Sequence, residues 1–171
     1  MIAEVIKYDD VVIDATMGNG HDTVFLASVC KNVFAFDVQE AAVQATQARL
    51  QANGLAANLI KDGHQNVDKY VTAPVKAAIF NLGYLPGSDK RVITKPDTTV
   101  IALEKISKLL VVGGRIAITV YPGHDGGKAE SDAVMNLTKT LCAKKWRVEI
   151  KNAEYKTESA PYVVLIELLS V

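Results

Sequence analysis

The chain has two cysteines in 171 residues and a formal net charge of zero. Cys30 and Cys142 lie far apart with no metal-ligand spacing, which argues against a disulfide framework, a zinc site or any other metal. They read as reduced thiols on helices of a cytoplasmic protein. No apolar run approaches the roughly 20 residues needed to cross a bilayer, so no membrane is expected as a partner. The N-terminus also lacks the charged start, apolar stretch and small-residue cleavage site of a signal peptide. The 19 basic and 19 acidic side chains balance, whereas a protein that grips nucleic acid indiscriminately along phosphates is usually basic. A general coat protein for DNA or RNA is disfavoured. A small structured RNA docked on a local patch is not.

Apolar residues make up 49% of the chain, in short runs that alternate strand and helix. That beat implies a single α/β domain spanning residues 1–171, a largely parallel sheet with helices on both faces. Strands are expected at Val11 to Asp14, Val33 to Asp37, Asn58 to Lys61, Ala77 to Asn81, Arg115 to Tyr121, Arg147 to Lys151 and Tyr162 to Leu168. Helices are expected at Thr23 to Val29, Glu40 to Asn53, Val67 to Val71 (short), Thr98 to Leu110 and Ala129 to Lys144. The connector between the last two strands is too brief for a crossover helix, so they should pair antiparallel. Seven strands ending in such a hairpin are the Rossmann-like sheet of the class I methyltransferases.

The most informative stretch is Val12-Ile13-Asp14-Ala15-Thr16-Met17-Gly18-Asn19-Gly20-His21-Asp22. It reads as a buried strand, a glycine turn and a helix start. A second strand then ends in an acid, Asp37, suited to ribose hydroxyls. A dinucleotide site would need a third glycine, and here Gly18-Asn19-Gly20 is followed by His21-Asp22-Thr23. Asp22 would also face the pyrophosphate, an unfavourable pairing of like charges. Asp14 and Asp22 suit a cationic ligand better. S-adenosylmethionine (SAM), with its ammonium and sulfonium, fits that description. Asp22 equally suits a cap for the following helix, and one residue can serve both roles.

Ligands of an open parallel sheet sit beyond the carboxyl ends of its strands. Those ends collect Asp14, Asp37, Asp62, Asn81 and Tyr121. Asp37 should hold the ribose, with Gln39 reaching the sugar or the adenine edge. Asp62-Gly63-His64 should flank the adenine, although Asp62-Gly63 is also an ordinary turn pair and a lone histidine is often a surface residue. Asn81-Leu82-Gly83-Tyr84-Leu85-Pro86-Gly87 lies where amine-methylating enzymes carry an Asp/Asn-Pro-Pro-aromatic tetrapeptide. Asn81 and the Leu82 carbonyl would accept hydrogen bonds from the substrate amine. Gly83 stands for a proline, and Tyr84 would stack on a ring or wall the pocket; a plain turn with Tyr84 in the core is the alternative. Tyr121, His124 and Asp125 are candidates for substrate contact, and Gly126-Gly127 for binding a phosphate through backbone amides. Lys90, Arg91, Lys95 and Lys128 form either a basic rim for a phosphate-bearing substrate or a solvated charge run.

Taken together, Asp14 to Thr23 and Phe80 to Gly87 resemble the small bacterial SAM-dependent methyltransferases labelled rRNA methylases, of the YtqB or MnmM type. The resemblance covers nearly the whole chain. It implies N-methylation of the aminomethyl group on the wobble 2-thiouridine of tRNA, giving 5-methylaminomethyl-2-thiouridine. The tRNA anticodon stem-loop would then be the partner, and a homodimer is compatible with it; rRNA or a small-molecule amine is the alternative substrate. Carried over by position, the cofactor would be held by Asn19, His21, Asp37, Gln39, Gly63 and His64. His21 stands where the family often has asparagine, and Gly63 where a serine often precedes the histidine. Tyr121-Pro122-Gly123-His124-Asp125-Gly126-Gly127 permutes the family's usual Gly-His-Pro-Gly-Gly order. The helix that usually precedes the first strand is reduced to about Ile2 to Ile6.

Overall fold

A computed structural model describes residues 1–84, 87, 92–151 and 159–170. Strands β1 (Val11–Asp14), β2 (Asn32–Asp37), β3 (Asn58–Lys61), β4 (Val75–Asn81), β5 (Leu110–Val120), β6 (Trp146–Lys151) and β7 (Tyr162–Leu168) form one sheet in the order β3-β2-β1-β4-β5-β7-β6. β1 to β5 pair in parallel, while β7 runs antiparallel to both β5 and β6. This is the class I methyltransferase sheet expected from the sequence. Strand order reverses at β1, whose neighbours are β2 and β4, and a crevice opens there beyond the strand ends.

Among the described residues four α-helices cover the sheet: α1 (His21–Val29), α2 (Glu40–Ala52), α3 (Pro96–Leu109) and α4 (Gly127–Thr140). Because a strand's side chains alternate, neighbouring residues feed different cores. Ile13, Phe36, Phe80 and Ile118 join the core beneath α3 and α4, whereas Val12, Val33 and Ala77 pack with Leu26 of α1. Both faces are therefore apolar, as a sheet covered on both sides requires. Among the described residues no helix is long and apolar enough to cross a membrane.

The departures from expectation have local causes. α1 starts at His21 rather than Thr23 because Gly20 adopts a left-handed conformation (φ 83°) as its N-cap. Pro96 occupies the first turn of α3, where its missing N–H is harmless. β5 begins at Leu110 rather than Arg115, with Gly113-Gly114 inside it where the register against Val75 and Ala77 shifts. The helix expected around Val67 to Val71 is a 3-10 helix over His64–Lys69. Residues Ile2 to Ile6 form a turn, closed by the Val5 amide on the Ile2 carbonyl, and not a helix. α4 ends at Thr140, before the expected Lys144.

Candidate functional site

The glycine loop between β1 and α1 is built by close approach. The left-handed Gly18 and Gly20 fold it tightly, and the Gly20 amide closes a turn on the Met17 carbonyl. A Cβ at Gly20 would stand 2.8 Å from the Thr46 Cα on α2. Thr46 Oγ1 donates to the Gly18 carbonyl (3.1 Å) and Arg49 Nε to the Asn19 carbonyl (2.9 Å), so α2 pins the loop from behind. Gly18 lines the crevice; Gly20, expected to touch the cofactor, does not, because it is engaged in packing against α2.

A cavity of about 570 Å³ runs along the strand ends, within the size range of small-molecule sites. Asn19, His21, Asp37 and Gln39 line one end of it, with Asp62, Gly63 and His64 beside them. Asp37 accepts from the Gln39 amide on one oxygen (2.9 Å) and from the Gly18 amide on the other (3.2 Å). A carboxylate has about four lone-pair sites, so both oxygens keep capacity toward the cavity. Burial raises the Asp37 pKa, and those backbone amides oppose the rise.

Asp62 accepts from the Gly63 amide, the Asn66 side chain and the Tyr70 hydroxyl, and its pKa is lowered, chiefly by Asn66. It shapes the floor of that end as much as it faces the cavity. His64, only 7% exposed, sets Nδ1 2.9 Å from the Ala15 carbonyl. A carbonyl only accepts, so Nδ1 carries the hydrogen and Nε2 is a bare lone pair. Among the described residues, that Nε2 is buried without a partner, and burial lowers the His64 pKa, favouring the neutral ring. An orphaned acceptor beside a ribose-type carboxylate fits a nucleoside bearing N–H groups.

Two acids that share the glycine loop behave differently. Asp14 is 0% exposed and absent from the cavity wall, contrary to its expected contact with the cofactor. Its carboxyl turns inward, accepting from the Thr23 hydroxyl (2.6 Å) and the Thr16 amide (3.1 Å). Burial pushes its pKa up to about 7, with Asp22 and Asp37 adding to the rise. Asp22 lies on the wall itself and accepts from the side-chain amide of Asn81. It does not cap α1 through its side chain, since the N-cap is Gly20. Burial raises the Asp22 pKa as well.

Asn81, Gly83 and Tyr84 line the other end of the cavity, with Val92 to Lys95 and Thr98 facing them. The Asn81 amide nitrogen of the backbone donates to Thr16 Oγ1 (2.7 Å), which locks the strand end to the glycine loop. Leu82, expected to offer its carbonyl, is buried and outside the lining. Gly83 has φ 129°, a conformation closed to proline, so the loop is not a proline turn with one ring removed. A Cβ there would lie 3.1 Å from His124 Nε2, so the vacated space belongs to His124. Tyr84 is 39% exposed rather than in the core, and its ring meets His124 edge to face at 6.0 Å.

His124 and Tyr121 are themselves off the cavity wall. His124 packs behind Gly83 and Tyr84, and the Tyr121 carbonyl crowds Gly127. The Gly127 amide donates to the His124 carbonyl, so it is not free for a phosphate. Lys95 stands on the wall at the N-cap of α3, and Lys128 lies exposed at the start of α4. Lys90 and Arg91, expected on the basic rim, lie outside the described residues. Thr94 and Thr98 are single threonines with no motif to mark them, and Thr16, although inside the glycine-loop motif, has no role predicted from the sequence.

The family model described as "Putative rRNA methylase" matches residues 33–167. The chain is 37% identical over 158 residues, 84% of its length, to the chloroplastic tRNA (mnm(5)s(2)U34)-methyltransferase of Arabidopsis thaliana, and spans 58% of that relative. A crystal structure described as a "putative rRNA-methylase" from Clostridium thermocellum is 43% identical, with a TM-score of 0.94 over 98% of this chain and 93% of that one. A "putative methyltransferase" from Streptococcus mutans, solved in complex with SAH, is 46% identical, with a TM-score of 0.91 over the same shares. With this sheet, this crevice and these relatives, the chain belongs to the rRNA methylase family of SAM-dependent methyltransferases.

Proposed function

We propose that the protein transfers a methyl group from SAM to a nitrogen of tRNA, at the 5-aminomethyl group of the wobble 2-thiouridine in the anticodon stem-loop. The observation that carries this reading is the position of Asn81. Its side chain, hydrogen-bonded to Asp22, lines the same cavity as Asp37 and His64 and as Tyr84 and Lys95 of the loop that follows it. Bound SAM would supply an activated methyl group, so the protein's task is alignment of the acceptor.

Asp37 and Gln39 would hold the ribose of the cofactor. Gly63 and His64 would border its adenine, and Gly18, Asn19 and His21 the amino-acid part. The acid on the wall, Asp22, favours a cationic ligand over a pyrophosphate. With its NH2 held by Asp22, Asn81 turns Oδ1 away as an acceptor for the substrate amine. Tyr84 offers a partly exposed ring beside it for a flat base, and Lys95 a cation for a phosphate. The substrate named for the Arabidopsis relative supports tRNA over rRNA.

The decisive assay incubates the protein and labelled SAM with tRNA lacking the final methyl, and separately with rRNA. Label in the tRNA, recovered as 5-methylaminomethyl-2-thiouridine, is expected. Label entering rRNA or a small amine alone would replace this reading. Light scattering on the purified protein tests the companion expectation of a homodimer.

A further inference from the structure

Glu130, in the first turn of α4, is 1% exposed, an unusual place for a carboxylate. Each of its oxygens takes one hydroxyl. Thr99 Oγ1 on α3 donates to Oε1 at 2.6 Å, and Thr94 Oγ1 donates to Oε2 at 2.6 Å. Thr94 in turn faces the Asn81 loop. The Gly83 amide donates to Thr94 Oγ1 (2.8 Å), and the Thr94 amide donates back to the Gly83 carbonyl (2.8 Å). Tyr84 pairs with Ile93 in an antiparallel bridge alongside.

This chain of bonds has one hydrogen direction. A carboxylate only accepts, so the single hydroxyl hydrogen of Thr94 must point at Glu130. Only lone pairs of Thr94 then face Gly83, and the Gly83 amide has an acceptor that cannot turn away. Gly83, Tyr84 and Thr94 all line the cavity, with Asn81 adjoining, whereas Glu130 does not reach it.

We infer that Glu130 is a positioning residue for the methyl acceptor: acting through Thr94, it holds Gly83 and Tyr84 in place beside Asn81. A glutamine at 130 keeps the shape but turns an NH2 toward one of the two threonines. If that is Thr94, its hydroxyl must accept from the amide and can no longer be held as before. If it is Thr99, that hydroxyl must turn to accept instead, and in either case the charge that draws the Thr94 hydrogen is gone. The inference rests on the reading of this cavity as an acceptor site, so its test includes a measurement that needs no substrate.

The test compares Glu130→Gln, Thr94→Val and Thr94→Ser with the wild type. Amide hydrogen exchange at Gly83 and Thr94 is expected to quicken at least about tenfold in E130Q and T94V, with β4 amides unchanged. Turnover of the tRNA substrate should fall at least about tenfold in both, largely in kcat, while S-adenosylhomocysteine binds within about twofold of wild type. T94S, which restores the hydroxyl, should recover most of the lost turnover. Unchanged exchange at Gly83, or turnover lost only in step with Tm and cofactor affinity, would overturn the inference. If E130Q does not fold, the T94V and T94S pair decides it. Absence of tRNA methylation by the wild type would instead count against the proposed function, and the exchange data would still judge the role of Glu130.

Discussion

The side-chain amide of Asn81 donates to the carboxylate of Asp22, joining the end of β4 to the first turn of α1 across 59 positions of sequence. Because the acid accepts, the amide cannot flip freely, and Oδ1 is presented away from Asp22. An Asp22→Asn variant offers both a donor and an acceptor to Asn81, so this preference disappears. Hydrogen bonds to charged groups contribute roughly 1.5–3 kcal/mol, which corresponds to about 10- to 150-fold in rate. Single-turnover rates at saturating SAM should fall within that range. An unchanged rate would mean that Asp22 has no part in presenting the amide.

The two ends of the cavity should separate by mutation. Asp37→Ala removes a carboxylate that already organises Gly18 and Gln39, so SAM affinity is expected to drop at least about tenfold. Asn81→Ala should leave that affinity within about threefold and lower turnover instead, because its side chain faces the acceptor end. Calorimetry with SAM and single-turnover assays read the two effects independently. Equal SAM affinity in wild type and Asp37→Ala would misplace the ribose.

Much of this layout was legible in the residues. The β1–glycine turn–α1–β2 unit announces itself because glycine spacing and a strand-terminal acid are local features. Asp37 and Asn81 followed from the rule that ligands lie beyond strand ends. The rule does not say which way a strand-end side chain turns, however. Asp14 looks equivalent to Asp37 in sequence, yet the hydroxyl of Thr23 draws it under the loop. Tyr121, expected to end a strand, follows the last residue of β5 and does not reach the cavity either. Glu130 was invisible for another reason. A glutamate in a helix reads as solvated, and its partners Thr94 and Thr99 stand 36 and 31 positions away with nothing in the intervening sequence to link them.

Asp14 should leave a mark on the pH dependence of stability. Its pKa rises from the usual 3.8 to about 7 in the folded protein, mainly through burial. The folded state therefore holds the proton more tightly than the unfolded chain. The resulting stabilisation is fully present below about pH 3.8 and is lost as pH rises through about 7. Asp14→Asn imitates the neutral carboxyl in shape but does not titrate. Wild-type Tm should therefore fall relative to Asp14→Asn between about pH 4 and pH 7, other carboxylates cancelling in the comparison. Parallel profiles would show that Asp14 keeps an ordinary pKa.

Gly20 and Gly54 both have positive φ, 83° and 63°, but only Gly20 is crowded. Among the described residues nothing lies within 4 Å of a Cβ built at Gly54, so Gly54→Ala incurs left-handed strain alone. That costs roughly 1–2 kcal/mol, or roughly 2–8 °C in Tm for a chain of this size. At Gly20 the same strain is joined by a Cβ only 2.8 Å from the backbone of Thr46. Relief requires α2 to move, and α2 holds the glycine loop through Thr46 and Arg49. Gly20→Ala should therefore lower Tm further than Gly54→Ala and weaken S-adenosylhomocysteine binding at least about tenfold, whereas Gly54→Ala leaves binding intact. Thermal melts paired with calorimetry make the comparison. If the two variants lose equal Tm and bind equally well, the close approach of α2 is not what forms the loop.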